Sequence, residues 1–381
     1  MKDAIIILCG GGPAPGMNSV SMSVAKTFLS KGYRVIGLHG GYSGLFSKDA
    51  RIEDLDFFKA DRYFNRGGSY LEMSRFKPTN EDFEKNFNLD LFKDNNIKLL
   101  VTIGGDDTAS TANRISKFLE EKNYPIANIH CPKTIDNDLP LPANAPTFGY
   151  NSAKNEGAHI ARTIYEDART SGNWLVISAM GRTCGSLALG IGEATHCPMT
   201  IIPEMFNKTQ MTLDKIVRLS VSAIIKRRLM GVHYGTIVAA EGLFHNEEVA
   251  KEAAEAGVHF SYDEHGHPEL GKISKAVLFN ELLEKKFAQL AMGVYQLFSE
   301  GKTGCMVYVD SYGNVSPLYL ADLQDPETGK IPPRIVDINA STAQNYYKYI
   351  AHYVTPEDYE AVKALGIENP EAYDFKKILE W

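Results

Sequence analysis

The sequence has no long hydrophobic run, little cysteine and no excess of positive charge. None of its 381 residues falls in a segment apolar enough, for long enough, to span a bilayer, so contact with a membrane is not expected. The five cysteines (Cys9, Cys131, Cys184, Cys197 and Cys305) are scattered, with no C-x-x-C spacing. That argues against a disulfide framework or a zinc ribbon and fits a reducing cytoplasm. The start, Met1-Lys2-Asp3 and then only Ala4 to Leu8 before a glycine run, is too short an apolar stretch for a signal peptide. Lys and Arg number 40 against 47 Asp and Glu, and a formal charge of -7 is too diffuse and of the wrong sign for a general nucleic-acid binder. A local phosphate site remains compatible with it.

What is present is enough apolar residue, 44%, to build substantial cores in two or three domains. Short apolar runs alternate with amphipathic stretches, the pattern of a mostly parallel sheet flanked by helices, so the fold class is α/β. Strands are predicted at Ile5–Leu8, Val35–Leu38, Leu99–Ile103, Trp174–Ala179, Thr236–Ala240 and Cys305–Val309. Helices are predicted at Asn18–Leu29, Thr108–Glu121, Asn151–Arg169, Leu213–Leu229 and Lys275–Ser299. The stretch Leu139 to Pro146 holds three prolines and is the expected crossing between two lobes. Asp325 to Arg334 reads as an irregular loop, and the tail beyond Pro356 as short peripheral helices. Ligands of such folds sit in the loops at the carboxyl ends of the strands.

Four of those loops carry chemistry. Gly10-Gly11-Gly12-Pro13-Ala14-Pro15-Gly16 bends between a strand and a helix, where backbone N–H groups and the helix start can meet a phosphate. It is not G-x-G-x-x-G, and the next strand ends in His39-Gly40-Gly41 without a ribose-binding acid, so a dinucleotide site is not expected. Gly301-Lys302-Thr303 precedes a strand instead of following one and reads as a turn. The second loop, Gly104-Gly105-Asp106-Asp107-Thr108, puts two carboxylates where an anion hole would want none, which implies a cation. Mg²⁺ is commonly held by one carboxylate plus substrate phosphates, so Asp106 is the candidate anchor, while Asp107 or Thr108 can instead cap the helix. In the third, Pro132-Lys133-Thr134-Ile135-Asp136-Asn137-Asp138, two acids in an extended segment point the same way. One can take a proton from a substrate alcohol while the other keeps its charge, and Lys133 offers a point charge to phosphate. The fourth is Met180-Gly181-Arg182, where Arg182 can reach a transferring phosphoryl group and Gly181 lets a substrate approach the backbone. Glu241, at the end of another strand, can accept hydrogen bonds from sugar hydroxyls. His196-Cys197 and His265-Gly266-His267 lack partners at zinc spacing, and Lys226-Arg227-Arg228 ends a helix, where cations suit the dipole.

Taken in order, G-G-x-A-P-G-M-N at Gly11 to Asn18, G-G-D-x-[ST] at Gly104 to Thr108, T-I-D-N-D at Thr134 to Asp138 and M-G-R at Met180 to Arg182 resemble the phosphofructokinase family over most of the chain. The resemblance implies two doubly wound three-layer lobes. The donor-binding lobe is expected over 1–147, joined by about 275–312. The fructose-6-phosphate lobe is expected over 148–274, joined by about 313–360, with a tail at 361–381. It also implies Mg²⁺-dependent transfer of a phosphoryl group to the 1-hydroxyl of fructose 6-phosphate in the cytoplasm, by a homodimer or homotetramer. Asp136 is then the general base, with Asp138 beside it. Arg182 stabilises the transition state, and Thr134, Met180, Gly181 and Glu241 hold the sugar. Gly11, Gly12, Arg75, Asp107, Thr108 and Lys133 form the donor phosphate site, and Asp106 binds the metal.

ATP-using members of the family typically carry glycine at the position of Asp107. The pyrophosphate-using branch carries aspartate there and lysine at the position of Lys133, as here. A carboxylate at Asp107 occludes and repels an α-phosphate, so the resemblance implies pyrophosphate as donor, in a reaction that runs readily in both directions. The alternatives are an ATP-dependent enzyme of the same family and a non-catalytic regulatory subunit. The second would be expected to lose Asp136, Asp138 or Arg182. Two departures from the family pattern stand out. About twenty or more residues that would carry 6-phosphate ligands are expected to be absent near Phe287. Asn173-Trp174 stands near where bacterial ATP enzymes carry an arginine of the neighbouring subunit.

Overall fold

The computed structural model describes residues 2–142, 145–246, 248–249, 251–252, 292–309 and 314–381. The expectation of a shortened connection near Phe287 and the pair His265 and His267 lie outside the described residues. Of the helix expected over Lys275–Ser299, residues 292–299 are described and are helical.

The chain divides into two compact units. The first takes in Met1–Thr134 and Leu139–Ser152 and returns to run through Arg334; the second takes in Ile135–Asp138, the described residues from Ala153 onward and Ile335–Trp381. The crossings fall at Thr134, Asp138 and Ser152 rather than in the proline stretch, which packs in the first unit. Leu139 and Leu141 are buried there with Met306, Leu320 and Ile331, and that apolar contact outweighs the break in regular structure.

In the first unit, strands β1 (Ala4–Cys9), β2 (Arg34–Leu38), β3 (Ile52–Leu55), β4 (Ile97–Gly104), β5 (Ala127–Thr134), β6 (Phe148–Gly149), β10 (Cys305–Val309) and β11 (Val315–Tyr319) form one sheet. Their order is β11-β10-β5-β4-β1-β2-β3, with β6 beside β5; β3 and β11 are antiparallel to their neighbours and the rest are parallel. Every residue of β1 is buried, which is why it reads as a continuous apolar run: helices cover both of its faces. Beyond β1 the chain moves to β2 on one side, while β4 lies on the other, so the order reverses between β1 and β4. That is the point where parallel sheets open a crevice at their carboxyl ends. β11 pairs with β10 through its whole length, from Cys305↔Tyr319 to Val309↔Val315. Residues 314–334 therefore belong to the first unit, contrary to the expectation that placed them in the sugar lobe.

In the second unit the described strands β7 (Trp174–Ala179), β8 (Met199–Ile201) and β9 (Gly235–Ala240) form a parallel sheet in the order β7-β9-β8. The helix Leu213–Leu229 packs against the C-terminal helix Phe375–Leu379, whose Phe375, Ile378 and Leu379 are buried. The tail is thus part of this unit's core rather than a peripheral appendage: its apolar residues are placed to be covered, and the Trp381 indole N–H closes the end on the Met205 carbonyl at 3.1 Å.

Candidate active site

The first unit's loops interlock at the carboxyl ends of β1, β4 and β5, which the register aligns as Cys9↔Ile103 and Gly104↔Pro132. Gly10 donates its N–H to the Ile103 carbonyl and Gly11, at φ +77°, to the Ser74 carbonyl. A Cβ on Gly10 would lie 2.7 Å from Thr108 Oγ1, so glycine is required for the two loops to meet. Thr108 is buried, and its carbonyl accepts the hydroxyl of the equally buried Tyr42 at 2.7 Å. The helix Asp106–Glu121 starts at Gly105 with no side-chain cap, so neither Asp107 nor Thr108 takes the capping role; Asp107 pairs with Lys77 at 2.7 Å instead.

Cations close the glycine bend. Lys133 is buried and donates to the Gly12 carbonyl at 2.6 Å, and a Cβ on Gly12 would stand 3.3 Å from Arg75 Nη2. The helix Met17–Ser30 begins after Gly16 without a side-chain cap. Buried Asn18 in its first turn fastens the approach to Arg75, donating to the Arg66 and Gly67 carbonyls and accepting from the Tyr70 N–H. Gly11, Gly12, Arg75, Asp106, Asp107, Thr108 and Lys133 are therefore together at one end of one sheet.

One residue in this layer went unnoticed in the sequence. His130, fully buried on β5, bridges Thr102 Oγ1 (2.9 Å, to Nδ1) and the Gly104 carbonyl (3.0 Å, to Nε2). A carbonyl only accepts, so Nε2 carries the hydrogen and Nδ1 accepts from the threonine hydroxyl. Gly104 pairs in register with Pro132, which has no N–H to give, and the imidazole supplies a donor at that level. Burial, with Lys133 nearby adding to it, pushes the His130 pKa down to about 3 despite the bond to Gly104. A histidine between Ile129 and Cys131, in the stretch of β5 that is buried without a break, is the only signal the sequence offered for it.

The T-I-D-N-D motif straddles the division: Thr134 ends β5, and Ile135–Asp138 belong to the second unit. The segment is not extended as expected. The strand stops at Thr134 and Asn137 takes a left-handed φ of +59°, so Asp136 and Asp138 follow a bend rather than the alternation of a strand.

In the second unit, Ala179 of β7 pairs with Ala240 of β9, so Met180-Gly181-Arg182 and Glu241 leave adjacent strand ends side by side. Gly181 has φ +127°, and a Cβ there would strike the Cys184 carbonyl at 2.4 Å. Its own carbonyl accepts the Gly242 N–H at 2.9 Å, and a Cβ on Gly242 would fall 2.4 Å from the Arg182 carbonyl. The two turns are thus locked through backbone, while Met180 and Arg182 are exposed and Glu241 is buried. Burial first, with the charges of Glu204 and Asp138 adding, raises the Cys184 thiol to about 11, which sets Asp138 within electrostatic reach of this turn.

A phosphofructokinase family model matches residues 4–294. The chain belongs to the phosphofructokinase family. It is similar to the pyrophosphate–fructose 6-phosphate 1-phosphotransferase of Thermotoga maritima, 34% identical over 92% of this chain and 91% of the relative. The protein of the same name from Naegleria fowleri is 32% identical over 94% of this chain and 90% of the relative. Among solved structures, a pyrophosphate-dependent phosphofructokinase from Nitrosospira multiformis superposes with a TM-score of 0.67 at 18% identity, covering 93% of each chain, a likeness of fold. The two glycine-rich family motifs coincide with the interlocked loops of the first unit, and Lys77 and His130 stand beside them outside any motif.

Proposed function

We propose that the protein transfers a phosphoryl group from pyrophosphate to the 1-hydroxyl of fructose 6-phosphate, giving fructose 1,6-bisphosphate and inorganic phosphate. The observation that carries this reading is Asp107. Its carboxylate opens the helix beside the glycine bend, paired with Lys77, where a nucleotide's α-phosphate and nucleoside would have to pass. It is also the activity in the names of the Thermotoga and Naegleria relatives.

In this reading the sugar O1 attacks the terminal phosphorus as its proton passes to the Asp136 carboxylate. The bridging P–O bond breaks, and phosphate leaves into the cradle of Gly11, Gly12, Thr108, Arg75 and Lys133. Arg182 neutralises the equatorial oxygens of the moving group. Asp138 keeps its charge and orders the base, while Thr134, Met180, Gly181 and Glu241 hold the sugar.

The donor set fits Mg²⁺. Among the described residues no three His, Cys, Asp or Glu converge to hold a metal by themselves, so Asp106 would share the ion with phosphate oxygens, the usual arrangement for this cation. Bound there, Mg²⁺ supplies charge neutralisation on the donor. A coupled assay with pyrophosphate and ATP in parallel tests the reading: turnover is expected with pyrophosphate, and turnover with ATP alone would overturn it.

A further inference from the structure

A carboxylate that turns away the α-phosphate of a nucleotide carries a cost, because the same charge repels pyrophosphate. Lys77 answers that charge. Its ammonium stands 2.7 Å from Asp107 Oδ2, and both side chains are more than half exposed, so the pair contributes little to stability. Yet its backbone is not adrift. Phe76, just before it, packs its ring on Phe46 at 5.7 Å. Pro78, just after it, gives its carbonyl to Arg114 Nη1 at 2.6 Å, and Arg114 Nη2 continues to Asn80 Oδ1 at 2.9 Å. The Arg114 guanidinium also lies over the Phe83 ring, 4.6 Å from its centroid.

Arg114 rides on the helix Asp106–Glu121 about two turns beyond Asp107, so both residues share one face. The segment from Phe76 to Asn80 therefore runs along that face, fastened on either side of Lys77, and delivers the ammonium to the carboxylate.

We propose that Lys77 is a specificity-determining residue: by pairing with Asp107 it lets that residue block a longer polyphosphate by its bulk and position without repelling pyrophosphate. A nucleotide would have to displace the carboxylate and break the pair. Pyrophosphate, ending short of it, meets a neutral pair. The inference rests on the pyrophosphate reading.

A kinetic double-mutant cycle tests it, with Lys77→Met, Asp107→Asn and the double variant assayed on pyrophosphate at low ionic strength. Lys77→Met should raise KM for pyrophosphate about fivefold, the scale of one partly screened charge, with kcat and KM for fructose 6-phosphate within about twofold. In the Asp107→Asn background the same change should move KM for pyrophosphate by less than about twofold. An unchanged KM in the single variant would overturn the proposal. So would an equal rise in the Asp107→Asn background, which would make Lys77 a direct phosphate ligand. A wild-type protein that turns over ATP and not pyrophosphate defeats the donor reading itself, a result visible before any variant is made.

Discussion

At the ends of β1, β4 and β5 the side chains that tie the loops together are buried, Thr108 4% and Lys133 6% exposed, whereas at the end of β7 Met180 is 56% exposed and Arg182 is exposed beside it. The first group is cross-linked by side chains: Lys133 to Gly12, Tyr42 to Thr108, His130 to Gly104. In the second, backbone locks the turn, with Glu241 buried beside it. The contrast matches the work proposed for each. A small, highly charged donor has few atoms to be recognised by, so its cradle must be set in advance. A sugar phosphate brings many hydroxyls and can organise exposed side chains as it desolvates them.

The largest effect that would sharpen this contrast belongs to the motif that straddles the two units. Asp136→Ala should lower kcat roughly 10²- to 10⁴-fold, the usual worth of a positioned general base. Equilibrium binding of fructose 6-phosphate should be nearly unchanged, since no sugar-holding side chain is lost. Turnover near the wild-type rate would remove Asp136 from the base role.

A smaller effect probes the preset side. Folded His130, at about 3, lies below its ordinary value of 6.5, so the unfolded chain takes up that proton first as pH falls. The stability His130 lends is full above about pH 6.5 and is lost on the way toward pH 3. Between pH 7 and pH 4.5, urea unfolding of His130→Gln should lose about 2 to 3 kcal/mol less than the wild type does. Equal losses would mean that the folded histidine titrates near its ordinary value and is not sealed from water in the sheet. The fivefold KM effect at Lys77 is the smallest of the set, as its exposure dictates.

Much of this was legible in the sequence because it is local. Buried parallel strands such as Ile5 to Leu8 announce themselves as apolar runs, and glycines with positive φ, such as Gly11 and Gly181, mark turns that no other residue makes cheaply. What escaped was contact between distant segments. Nothing near Lys77 indicates that Arg114 will fasten its loop beside Asp107, and nothing in Leu139 to Pro146 says that its leucines will meet Met306 and Leu320. The bend at Asn137 was hidden for a different reason: asparagine tolerates both extended and left-handed backbone, so the alternation of Asp136 and Asp138 looked like a strand. The C-terminal helices seemed peripheral because they are short, yet Phe375 and Leu379 are core residues.

The central claim is that one acidic side chain selects the phosphoryl donor, and the ratio of kcat/KM for ATP to that for pyrophosphate, compared between wild type and Asp107→Gly, tests it most directly. The account predicts that pyrophosphate dominates in the wild type and that the substitution raises the ratio by at least about tenfold, since relief of a steric block worth only about 1.4 kcal/mol is already a factor of ten. A ratio unmoved by the loss of the carboxylate would contradict it.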